Sequence, residues 1–80
     1  MSRTLRSARH EALIALLVEK RREAGLTQAQ VAKRLKRYQS YVATVESGQR
    51  RIDVVEFLDI ADAIGFDPRE AIKRLRSISR

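Results

Sequence analysis

The chain contains no cysteine and a single histidine, and nowhere are His, Asp and Glu spaced as metal ligands. Disulfides and a structural zinc are therefore excluded as supports for the core, and no metal or other cofactor is expected. No apolar run approaches the ~20 residues that a membrane-spanning helix needs. The run Ala12 to Val18 leads directly into Glu19 and a basic stretch without a small-residue cleavage site, so it reads as helix rather than leader, and a cytoplasmic protein is expected. No segment alternates with period two, and no Val/Ile/Thr run is bounded by hairpin turns, so strands are not expected. A glycine-rich phosphate loop is missing, as is a nucleophile with a neighbouring base. An enzyme is accordingly not expected.

What is present is positive charge. The 80 residues carry a net charge of +7 with a pI near 10.8, which favours a polyanionic partner. The distribution is uneven. Residues 20–51 hold nine Lys/Arg against Glu23 and Glu46, whereas residues 52–67 hold five acids and no Lys or Arg. Such a split implies an oriented electrostatic face. A length of 80 residues predicts one domain, placed at 8–78, preceded by a basic N-terminal arm at 1–7. For Arg3, Arg6 and Arg9 two readings stay open, an arm reaching the polyanion and a disordered basic terminus, and the second is favoured.

Helical spacing runs through the whole chain and predicts an all-α fold of five helices. The first is expected from Ala8 to Ala24, with Ser7 as N-cap, Leu13, Leu16, Leu17 and Ala24 inward, and Gly25 as terminator. His10 reads as a surface residue of its first turn. The second opens on a capping box, Thr27 with Gln30, flanked by Leu26 and Val31 as a hydrophobic staple, and ends near Leu35 or Lys36. A third, about 39–47, starts poorly, because Tyr38 stands where Ser, Thr or Asp would cap. Val42 and Val45 should point inward, with Tyr38 or Tyr41 beside them, leaving Gln39, Ser40, Ala43, Thr44 and Ser47 outside. The fourth begins with a second box, Asp53 with Glu56, and stops at Gly65. Asp67 and Pro68 start the fifth, whose apolar stripe is Ala71, Ile72, Leu75 and Ile78.

Two short helices joined by about three residues have helix-turn-helix spacing. In such a unit the second helix enters the major groove of double-stranded DNA with its N-terminal residues at base edges. Gln can bond adenine bidentately, and Ser or Thr can bond several bases or touch the thymine methyl. Amides and hydroxyls on the outer face of residues 39–47 suit that task. The arginines after Gly48 suit phosphate, which fixes register without reading sequence.

The stretches "GLTQAQVAKRL" and "QSYVATVESGQRR" are similar to the lambda-repressor-like, Xre/Cro family of helix-turn-helix proteins, over about Val18 to Ala71. The resemblance implies a five-helical domain that binds DNA, usually as a homodimer, and mostly regulates transcription. It assigns Gln28 to a backbone phosphate, Gln39 and Ser40 to bases with Thr44 one turn later, and Arg50 and Arg51 to phosphates. Tyr41 is open between a phosphate contact through its hydroxyl and a place at the core edge. Lys36 and Arg37 depart from the frequent glycine and apolar residue of the family's turn, and Tyr38 from its capping hydroxyl. Glu46 sits near a helix C-terminus, where the dipole disfavours a carboxylate, so a partner cation is expected. Arg22 is the local alternative, and the resemblance points to Arg21. The leading expectation is a sequence-specific repressor on a palindromic operator. The alternative is an antitoxin, or another protein-interaction module on the same fold, with a toxin or other protein as partner.

Overall fold

The structure, a computed structural model, describes residues 7–78. Among these there are five helices and no strand: α1 (Ala8–Glu23), α2 (Gln28–Leu35), α3 (Gln39–Glu46), α4 (Val54–Ile64) and α5 (Pro68–Arg76). Arg3 and Arg6 lie outside the described residues. Arg9 does not belong to an arm. It is part of α1, and its guanidinium donates to the Ile78 carbonyl at 2.9 Å.

Local chemistry explains most of the helix ends. Ser7 accepts from the His10 N–H and so caps α1. Thr27–Gln30 and Asp53–Glu56 both form complete capping boxes, each satisfying two backbone donors that a helix start otherwise leaves open. Asp67 accepts from Arg69 N, with Pro68 in the first turn of α5. The Gly25, Gly48 and Gly65 backbones take positive φ just past α1, α3 and α4. The same left-handed geometry after α2 falls on Lys36 (φ 58°), the one non-glycine residue with positive φ among those described. Arg37 N–H then donates back to Ala32 O at 2.9 Å, closing the turn that leads into α3.

The core consists of Leu16 and Leu17 from α1, Val31 and Ala32 from α2, Val42 and Val45 from α3, Phe57, Ile60 and Ile64 from α4, and Ala71 from α5. The ring of Phe66 meets Phe57 edge-on at 6.0 Å. α2 packs on α3 and α4, and α1 packs on α3 and α5. Burying these side chains is the main stabilising term, at about 25 cal/mol per Å² of apolar surface.

Three expectations about facing are corrected. His10 is buried, with 4% of its surface exposed, and its Nε2 lies 3.2 Å from the Gly48 carbonyl. It continues the α1 stripe three, four and seven residues before Leu13, Ile14 and Leu17, a periodicity that carries a polar side chain inward when a carbonyl is there to meet it. Ala24 is exposed, because α1 ends at Glu23 and Ala24 is its cap residue, outside the helical stripe. In α5 the stripe divides: Ala71 is buried, Leu75 and Ile78 are half-buried, and Ile72 is 46% exposed.

Candidate nucleic-acid interface

α2 and α3 pack against each other through Val31, Ala32, Val42 and Val45, which leaves the opposite face of α3 outside. Gln39 and Ser40 are exposed there, and neither side chain makes a hydrogen bond among the described residues. Thr44 is half-exposed, and its hydroxyl donates to Ser40 O at 2.8 Å. With that hydrogen committed, Thr44 offers a methyl group and an acceptor to a partner, but no donor. Ala43 is half-exposed and Ser47 exposed, completing this face.

The start of α3 is bare. Tyr38 has extended backbone geometry and makes no side-chain cap bond, and 87% of its surface is exposed. Tyr41, not Tyr38, is the tyrosine at the core edge. Outside α3 a groove is lined by Lys36, Arg37, Ser40, Tyr41, Thr44 and Arg50. The sequence-predicted base-reading residues Ser40 and Thr44 thus share one concave surface with three cations. Arg51 is exposed in the following loop.

The other end of α3 is held firmly. Arg21 grips Glu46 through two bonds, Nε to Oε2 at 2.7 Å and Nη2 to Oε1 at 3.0 Å, and its Nη1 donates to the Leu26 carbonyl at 2.9 Å. Gln28 Nε2 donates to Glu46 Oε1 at 2.9 Å. The Arg21 and Glu46 side chains are only 12% and 9% exposed. The Glu46 hydrogen bond holds the Arg21 guanidinium above its ordinary pKa, so the arginine stays charged at every accessible pH. This paired arrangement offsets the unfavourable position of a carboxylate near a helix C-terminus. It joins α1, the start of α2 and the end of α3, so a charged clamp ties both helices of the motif to α1. Gln28 spends one amide hydrogen on that clamp and keeps one for another acceptor.

Arg50 and Tyr41 have partners that the sequence did not suggest. Arg50 Nη2 is paired with Glu56 Oε2, and the Tyr41 hydroxyl donates to the same oxygen at 3.0 Å. The Arg37 and Arg50 guanidinium carbons lie 4.3 Å and 5.2 Å from the centroid of the Tyr41 ring. Burial and the Glu56 bond push the Tyr41 hydroxyl above its ordinary pKa. The Asp53 N–H, followed by Tyr41 and Arg50, holds the Glu56 carboxyl below its ordinary value. A second groove, between the turn and α4, is lined by Arg34, Lys36 and Arg37 on one side and Glu56, Asp59 and Asp62 on the other. The acids of α4 therefore lie beside the basic turn, and Glu56 reaches α3 through Tyr41. Among the described residues no cluster of His, Asp and Glu could hold a metal ion, and no helix is long and apolar enough to cross a membrane.

Comparison with known proteins agrees with this geometry. A family model described as "Helix-turn-helix domain" matches residues 1–75. No curated protein matches the chain. Among solved structures, an XRE-family like protein from Pseudomonas syringae pv. tomato str. DC3000 is 42% identical, with a TM-score of 0.87, over 98% of this chain and 95% of that one. The restriction-modification controller protein C.AhdI from Aeromonas hydrophila is 36% identical, with a TM-score of 0.72, over 80% of this chain and 97% of the other. The clp gene regulator ClgR from C. glutamicum shares the fold, with a TM-score of 0.77 at 20% identity over 88% of this chain and 91% of that one. A five-helix domain with this turn, this clamp and these relatives is not an enzyme; the chain belongs to the Xre type of helix-turn-helix DNA-binding transcription regulators.

Proposed function

We propose that the protein is a repressor that occupies a palindromic operator as a homodimer. The observation that carries this reading is the outer face of α3. There, Gln39 and Ser40 stand exposed without side-chain hydrogen bonds among the described residues, and Lys36, Arg37 and Arg50 line the groove beside Ser40 and Thr44. Gln39 and Ser40 read base edges in the major groove, and Thr44 offers its methyl group to a thymine. Arg50, Arg51 and the free amide hydrogen of Gln28 take backbone phosphates, and the Tyr41 ring borders that set without donating to it. One eight-residue recognition helix reads few base pairs, so two copies about one helical turn apart supply the selectivity an operator requires. The exposed Val54, Val55 and Leu58 of α4 and Ile72 of α5 support a self-association surface.

The test is selection of binding sites from a random duplex pool, followed by gel-shift titration of wild type and Gln39→Ala. Wild type should enrich an inverted repeat. Gln39→Ala should lose discrimination at one position per half-site, by about 1–3 kcal/mol, while its binding to random DNA stays unchanged. Equal losses on selected and random duplexes would remove Gln39 from the reading set, and a pool that enriches nothing would reject sequence-specific binding.

A further inference from the structure

We infer that Glu56, a carboxylate on the acidic helix α4, is a positioning residue for DNA binding, acting through Arg50 and the Tyr41 ring. The inference rests on the DNA-binding reading above and deepens it. Glu56 is fixed at both oxygens. Its Oε1 accepts the Asp53 N–H at 2.9 Å as part of the α4 capping box. Its Oε2 accepts from Tyr41, on the recognition helix, and from Arg50, in the loop that follows it. The recognition helix, the loop after it and the start of α4 therefore converge on one carboxylate that is itself only 14% exposed.

Arg50 meets Glu56 through Nη2 alone, and Nε makes a long 3.4 Å contact with the Arg51 carbonyl. The guanidinium carries five N–H groups, so donors remain for a phosphate while Glu56 stays bound. Arg50 is also 5.2 Å from the Tyr41 ring centroid and lines the groove shared with Lys36, Arg37, Ser40 and Thr44. The carboxylate and the ring hold the arginine at the groove wall before DNA arrives. An unrestrained arginine would lose its rotamer freedom on binding, and prior restraint removes that cost. The Tyr41 hydroxyl donates its hydrogen to Glu56, so the tyrosine serves as a platform and not as a donor to phosphate.

Charge alone and positioning predict opposite signs. Near a polyanion, removing a carboxylate should tighten binding. If Glu56 positions Arg50, removing its charge should weaken binding. Glutamine still completes a capping box, so Glu56→Gln keeps the α4 start. The experiment titrates a duplex, selected by the wild-type protein from a random pool, against wild type, Glu56→Gln, Arg50→Ala and the double variant at several salt concentrations. Glu56→Gln should bind roughly three- to tenfold more weakly. Arg50→Ala should weaken binding by a smaller factor in the Glu56→Gln background than in wild type. Unchanged or tighter binding by folded Glu56→Gln, or equal factors for Arg50→Ala in both backgrounds, would overturn the proposal. Should Glu56→Gln not fold, Tyr41→Phe decides. It keeps the ring and core contact, and it should weaken binding in the same direction with an unchanged melting temperature; no effect would overturn the proposal. A wild type that enriches and binds no duplex would reject the DNA-binding reading itself, a result distinct from all of these.

Discussion

The two ends of α3 are built in opposite ways. At its C-terminal end Glu46 takes three hydrogen bonds from Arg21 and Gln28 and is almost fully covered. At its N-terminal end Tyr38 gives no cap, and the preceding turn places Lys36 in a left-handed conformation that favours glycine. The other helix starts follow local rules: α2 and α4 each have a complete capping box, and α1 and α5 each have a capping side chain. Departures from local preference thus gather at the end of the helix that is proposed to meet DNA. Proteins tolerate such departures where function needs particular side chains, with stability supplied from elsewhere. In this chain the Arg21–Glu46 clamp and the two boxes supply it.

The largest expected effect comes from breaking the firm end. Arg21→Met leaves Glu46 nearly buried without its cation and should lower stability by about 3 kcal/mol. In a double-mutant cycle with Glu46→Gln followed by urea unfolding, the two changes should be strongly non-additive; additive losses would mean that the pair is not coupled.

Next come the helix starts. Asp53→Ala removes the α4 cap and should cost about 1–2 kcal/mol, whereas Tyr38→Ser adds a hydroxyl cap to α3 and should gain about 0.5–1 kcal/mol. The opposite signs are the point of the pair: if Tyr38→Ser also destabilises, the bare start of α3 is not a deficit. Lys36→Gly probes the turn itself. A left-handed residue other than glycine is disfavoured by roughly 1–2 kcal/mol, and part of the gain is lost to the freer unfolded chain. A net stabilisation of about 0.5–1 kcal/mol is expected from thermal unfolding, and a loss would show that the Lys36 side chain makes compensating contacts.

The smallest effect is on pH. The Glu56 carboxyl lies below its ordinary value of 4.5 when folded, because of the Asp53 N–H first and then Tyr41 and Arg50. A depressed folded pKa means stability that is fully present above the unfolded pKa and lost as pH falls through the folded one. Stability should therefore decline as the pH falls below about 4.5, and Glu56→Gln should flatten part of that decline. An identical acid profile for the variant would show that another carboxylate governs it.

Much of this was legible in the chain. The capping boxes, the glycines after α1 and α4, and the apolar spacing lie within a few residues of each other, and local sequence is enough to write them. The outer face of α3 followed from the same spacing, because Val42 and Val45 fix what remains outside. His10 carried a signal that was underused: it continues the stripe of Leu13, Ile14 and Leu17, yet a lone histidine says nothing about the carbonyl it will meet.

The sequence by itself determined the five helices, their ends and the positive charge around the turn, since caps, periodicity and charge act over one or two turns of chain. Only the tertiary structure decided the partners. His10 meets Gly48 across 38 residues, Tyr41 meets Glu56 across 15, and Arg21 meets Glu46 across 25. Several polar side chains could have met each of those acceptors. The packing of α3 on α1 and α2, and of α2 on α4, selects among them, because it brings particular polar groups within hydrogen-bonding reach and limits the water that would otherwise satisfy them.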